Sequence, residues 1–140
     1  MELEVANTED HQELLRLSKA QMKRYFDENS LEWNENKQKK YLDESQVFRI
    51  LDPDFSGYLQ LCEKGNELFI YNLQILPACQ GQGLGTKVVN HVIEMAKGNG
   101  TQAVRLGSFK SNRASSLYER LGFQAIKENG YFVWYIYAIT

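Results

Sequence analysis

The sequence predicts an α+β domain on a mixed sheet, and three observations point there. Apolar runs of strand length recur through the middle and the end of the chain. Two longer segments place their apolar residues at helical spacing. Strands and helices interleave, in the order β-α-α-β-β-β-α-β-α-β-β.

Met1–Val5 alternates enough for a short strand. Thr8 or Asp10 can cap a helix carrying Leu14, Leu15, Leu17, Met22, Tyr25 and Phe26. Ser30 is the expected cap of a second, charge-rich helix through Leu31, Trp33 and Tyr41. "QVFRILD" and "GYLQLCEKG" read as strands joined by the turn Pro53–Gly57. "ELFIYNLQIL" is apolar on both faces, which suits a central strand.

A glycine loop follows, then a helix with Leu84, Val88, Val89, Val92, Ile93 and Ala96 on one face, stopped at Lys97-Gly98. "TQAVRLGSF" is the next strand. Ser111 or Asn112 opens a helix through Leu117, Tyr118 and Leu121, ending at Gly122. "FQAIKE" and "YFVWYIYAI" close the chain as a hairpin about Asn129-Gly130, a favoured two-residue turn.

At 140 residues the chain is long enough for one domain with a single substantial core. A net charge of −2 argues against nucleic acid, because neutralising phosphates needs a concentrated basic surface. The acidic start has too little apolar length for a secretory signal, and no stretch approaches a membrane span. Cys62 and Cys79 form no CxxC, and His11 and His91 lie far apart, so no metal centre is expected. A reduced, cytoplasmic setting fits these features.

Chemistry is suggested first by "QGQGLG". A strand, a glycine-rich turn and a helix start together make an anion site, because first-turn N–H groups lack helical partners and the helix dipole favours negative charge. Gly81, Gly83 and Gly85 let that backbone approach a ligand closely, and a pyrophosphate suits the arrangement. The P-loop pattern fails because Lys87 follows Thr86 and no Ser or Thr follows it. The dinucleotide fingerprint fails because Thr86 stands where its third glycine belongs.

"QGQGLG" resembles the acyl-CoA loop, Gln/Arg-x-x-Gly-x-Gly/Ala, of the GNAT (Gcn5-related N-acetyltransferase) superfamily. "NRASSLYERLGF", Asn112 to Phe123, is similar to that superfamily's second common motif, and the two stand in the right order. The resemblance covers essentially the whole chain. It implies a mixed, mostly antiparallel twisted sheet flanked by helices, and acetyl-CoA in a splay beside the central strand.

On matching positions, Leu73, Gln74 and Ile75 would offer backbone groups to the pantetheine arm. Gln80, Gly81, Gln82, Gly83, Leu84, Gly85 and Thr86 would hold the pyrophosphate. Asn112 would meet the cofactor near the pantetheine, and Tyr118 would lie beside the thioester sulfur as general acid.

A phenol with pKa about 10 is protonated at neutral pH and can serve a thiolate leaving group. For the base, the strand before Asn112 has no acid; Glu67 on the central strand is one candidate and a water chain another. Cys79 as an acyl-accepting nucleophile has no neighbouring His or Lys to lower its pKa, so direct transfer to the amine is favoured. Acceptor walls are expected from Glu28, Glu32, Trp33, Glu35 and Tyr41 on one side and Tyr131, Trp134 and Tyr135 on the other. Carboxylates with aromatics would suit a cationic amine.

Two functions stay open at this stage. One is acetyl transfer to a primary amine of a small molecule, peptide or protein; the other is a non-catalytic acyl-CoA sensor. The resemblance also leaves open a homodimer through the last strands.

Overall fold

The computed structural model describes all 140 residues. Seven strands form one sheet in the order β1-β2-β3-β4-β5-β7-β6. They are β1 (Glu2–Val5), β2 (Gln46–Leu51), β3 (Phe55–Lys64), β4 (Glu67–Ile75), β5 (Ala103–Phe109), β6 (Gln124–Glu128) and β7 (Phe132–Ala138). The helices are α1 (Thr8–Glu28), α2 (Glu35–Asp43), α3 (Leu84–Gly98) and α4 (Ala114–Arg120). Every neighbouring pair is antiparallel except β4 with β5, so the expected mixed, mostly antiparallel sheet is what forms.

Local chemistry explains most boundaries. Asn7 caps α1: its side chain accepts from the Asp10 amide while the Asp10 carboxylate accepts from the Asn7 amide. Such a reciprocal cap is worth about 1 kcal/mol. The cap therefore sits one residue before Thr8.

α2 begins later than expected, because Asn34 rather than Ser30 accepts from a first-turn amide, that of Lys37. Leu31 and Trp33 thus lie outside any helix. In the final hairpin Asn129 closes the turn instead of occupying its centre. Its amide donates to the Phe132 carbonyl and its side-chain oxygen accepts from the amides of Tyr131 and Phe132.

Alternation divides the sheet into two faces. On one, Val88, Val89 and Val92 of α3 are fully buried against Leu68 and Ile70 of β4 and Val104 and Leu106 of β5. Each such side chain contributes roughly 1.5–3 kcal/mol of burial. On the other face, Leu14 and Leu15 of α1 and Leu42 of α2 pack on Val47 and Tyr58.

The site depends on where β4 parts from β5. Their parallel pairing runs from Glu67↔Ala103 to Ile70↔Leu106 and then stops. At that point the β3–β4 register slips, with Leu61 opposite Ile70 and Gln60 opposite Asn72, so Tyr71 is the extra residue. An extra residue bends its strand and increases the local twist. The edge of β4 beyond Ile70 is left without a β5 partner, and a cleft opens there.

Candidate active site

The glycine loop enters α3 through backbone conformations that favour glycine, with φ of 76° at Gly81 and 79° at Gly83. From Gly81 through Thr86, six consecutive amide N–H groups donate no hydrogen bond within the protein; Lys87 is the first to find a helical partner, the Gly83 carbonyl. No acidic side chain occupies the first turn of α3. A Cβ added at Gly81 or Gly83 would meet nothing within 4 Å. The space above this backbone is therefore free for a ligand, and unpartnered amides at a helix start suit an anion such as a diphosphate. The chain's residues fit the phosphate end of acetyl-CoA.

Gly85 serves a different purpose. Leu117 of α4 comes within 3.6 Å of where a Gly85 Cβ would stand. The loop and the second motif, distant in sequence, thus meet here, and Tyr118 sits next along the helix.

Tyr118 lines the cleft while its ring packs near Phe123 and Tyr135, at centroid distances of 6.0 and 6.1 Å. Burial, with the neighbouring Tyr135 adding to it, pushes its pKa up to about 12. Its oxygen makes no hydrogen bond in the protein, yet the only enclosed side-chain polar atom without a partner is Trp33 Nε1. The phenol oxygen accordingly keeps an opening to the cleft.

The cleft has a volume of about 260 Å³ and runs between β4, β5, α1 and the start of α2. Leu73, Gln74 and Asn112 line it as expected; Ile75 does not, and its carbonyl accepts from Gln80 Nε2 at 2.9 Å. Asn112 also accepts from the Ala114 amide at 3.0 Å, which ties it to the start of α4.

Other expectations are corrected by position. Glu67 is held by Arg105, 2.7 Å from its Nε, and does not line the cleft. About 16 Å of extended strand separates it from Asn72. Glu28 is engaged by the Ser111 hydroxyl at 3.4 Å, and neither it nor exposed Glu32 lines the cleft. Tyr135 is buried behind Tyr118, its hydroxyl 3.4 Å from Glu119. Of the eight acceptor-wall residues put forward, Trp33 and Tyr41 line the cleft, and Glu28, Glu32, Glu35, Tyr131, Trp134 and Tyr135 do not.

What sequence reasoning missed is an amide floor. Gln80 Nε2 donates to Gln21, Gln21 to Gln74, Gln74 to Asn72, Asn72 to Gln60 and Gln60 to Ser45, at 2.7–3.1 Å. Ser45 in turn donates to the Tyr41 carbonyl. The chain of donors runs unbroken from the glycine loop to the far wall. The available signal was three polar side chains, Gln60, Asn72 and Gln74, inside strands whose neighbours are apolar.

The profile of the acetyltransferase (GNAT) family matches residues 11–123. A thialysine N-epsilon-acetyltransferase of Bos taurus is 35% identical over 66 residues, 46% of this chain and 39% of that protein. A [ribosomal protein bS18]-alanine N-acetyltransferase of Haemophilus influenzae is 37% identical over 61 residues, 44% and 42% of the two chains. The matched segment thus spans less than half the length of these curated relatives.

Among solved structures, the ribosomal-protein-S18-alanine N-acetyltransferase of Escherichia coli shares the fold with a TM-score of 0.75 at 18% identity, over 99% of this chain and 94% of that one. A Bacillus subtilis acetyltransferase in complex with CoA gives 0.72 at 20% identity, over 99% and 97%. With the profile match extending over most of its length, the chain belongs to the acetyltransferase (GNAT) family.

Proposed function

We propose that the protein is an acetyl-CoA-dependent N-acetyltransferase that moves an acetyl group directly to a primary amine. The observation that carries this reading is the run of six unpartnered amides at Gly81–Thr86, continuous with the open edge of β4 and with Tyr118. Curated relatives named as N-acetyltransferases, and a solved neighbour holding CoA, support it.

Acetyl-CoA bound here would supply an acetyl thioester. The loop amides would hold its diphosphate, and the unpaired edge at Leu73 and Gln74 would orient the pantetheine arm. Tyr118 Oη holds a proton throughout the neutral range and can release it at the cleft wall. No Asp, Glu or His lines the cleft, so proton removal from the amine falls to water or to the entry of an already neutral amine. Cys79 stays outside the cleft lining, which supports direct transfer over a covalent acyl-enzyme.

The test is thiol release from acetyl-CoA across an amine panel, with Tyr118→Phe alongside. Thiol release with at least one amine, and a fall in kcat of about 10²-fold in the variant, is expected for loss of a general acid. CoA binding with no thiol release from any amine, peptide or protein extract would instead identify an acyl-CoA sensor.

A further inference from the structure

The cleft as a whole is electrostatically neutral in its lining. None of the 19 residues lining it carries a charge. Its floor is the neutral amides Gln38, Gln60 and Asn72, and its walls are rings. Phe26 and Trp33 lie 5.4 Å apart on one side, and Tyr41 and Tyr71 lie 5.3 Å apart on another. Phe109 and Phe132, 5.1 Å apart, close the third.

Two lysines stand against rings of the cleft. Lys37 Nζ stands 5.9 Å from the Tyr41 ring centre and Lys64 Nζ 5.3 Å from that of Tyr71. Glu28 at the end of α1 accepts from the Ser111 hydroxyl and pairs with Arg24 at 3.9 Å, and Glu32 and Glu35, beside Trp33 in sequence, stay outside the lining. The titratable groups inside are the phenols Tyr41, Tyr71 and Tyr118.

We infer that the acceptor is an aromatic amine that enters uncharged, and this rests on the acetyltransferase reading above. An ammonium group would leave water for a site with no carboxylate to receive it and two lysines at the rim to repel it. Two of the six rings, those of Tyr41 and Tyr71, already face a lysine. A flat apolar ring gains from every wall: aromatic pairs contribute beyond the area they bury. A dry cavity of about 150 Å³ holds benzene, so the larger space here takes one ring beside the cofactor's reactive end.

The neutral cleft also supplies what the missing base would have supplied. Desolvation lowers an amine's pKa, so the nucleophilic form is the form that binds. At pH 7 an alkylamine with a pKa near that of lysine, about 10.4, is neutral in less than a thousandth of its molecules. An arylamine is neutral already.

Two measurements test this. Binding is followed through Trp33 fluorescence in a Trp134→Phe background, with aniline, phenethylamine and spermidine as probes and no turnover required. Aniline binding is expected to be independent of pH between 6 and 9, phenethylamine binding to strengthen with pH, and spermidine to leave the signal unchanged. Turnover is followed by thiol release, where kcat/KM for the two aromatic amines should exceed that for spermidine or a lysine peptide at least tenfold. Tyr71→Ala should lose at least tenfold with the aromatic amines at an unchanged KM for acetyl-CoA, and Gln38→Glu should shift preference toward spermidine.

Spermidine or the lysine peptide leading the panel, or aromatic amines failing to bind, overturns the inference. Aromatic amines that bind without any thiol release uphold the cleft's ligand class and reject acetyl transfer, so the two failures are separable.

Discussion

The glycine loop and the cleft beside β4 offer recognition through different parts of the polypeptide. At the cofactor end the work falls to main chain: six free amides, two residues in the left-handed region and no acidic side chain in the first helical turn. At the acceptor end side chains do it, as rings over amides, with no ionised group among them. A main-chain site is fixed by the backbone that builds it, whereas a side-chain wall can be rebuilt without disturbing the sheet. The first part therefore constrains the backbone, and the second is free to vary its side chains.

The largest expected effect breaks the main-chain end alone. Gly83→Val puts a β-branched residue at a φ of 79° and a side chain into the space above the amides. Nothing in the protein stands within 4 Å of the new Cβ, so folding should persist while CoA affinity falls at least 100-fold. Calorimetric titration with CoA, with circular dichroism as a control, reads both. Undiminished affinity would remove the diphosphate from this loop.

This contrast also explains how much was legible in the sequence. The glycine loop was readable because positive φ and close approach restrict residue choice, so the physics leaves a visible pattern. The same holds for α3, whose buried stripe from Leu84 to Ala96 repeats at helical spacing. The start of α2 was not readable. Ser30 and Asn34 are both good caps, and which one acts depends on how Trp33 packs on Phe26.

The acceptor end was misread for a related reason. Glu28 and Glu32 lie near Trp33 in sequence, but the turn between α1 and α2 directs only the ring into the cleft. Glu67 is an acid on the central strand, and that placement does not reveal that Arg105 on β5 would claim it. Tyr71 gave no sign, because a one-residue slip between strands is a property of the pair.

A smaller effect should come from cutting the link between the ends. Gln21 accepts from Gln80 at 2.7 Å and donates to Gln74 at 3.0 Å, joining loop to floor through α1. Gln21→Ala removes both bonds and leaves Gln80 held only by the Ile75 carbonyl. Each bond contributes about 1 kcal/mol net, so CoA affinity should fall by between roughly fivefold and thirtyfold. If the chain couples the ends, acceptor affinity measured with and without CoA should differ in the native protein and less in the variant. Equal coupling in both would show that the ends act independently.

The smallest effect, invisible at neutral pH, concerns the phenol between the two ends. Tyr118 is held neutral by burial, with its pKa raised from 10 to about 12. In the unfolded chain the same phenol ionises near 10. Below pH 10 both states keep the proton and stability is untouched. Between 10 and 12 the unfolded chain releases its proton while the folded one does not, so stability falls as pH rises through that window. Denaturant titrations at pH 9, 10.5 and 11.5 should show this decline, and Tyr118→Phe should flatten part of it. Catalysis follows the same proton: a phenol protonated to about pH 12 places no alkaline limit on the acid step below pH 10. Any pH dependence of kcat/KM in the neutral range must then come from the acceptor, and it should disappear when aniline replaces phenethylamine. A descending limb near pH 8 with aniline would mean that another group supplies the proton.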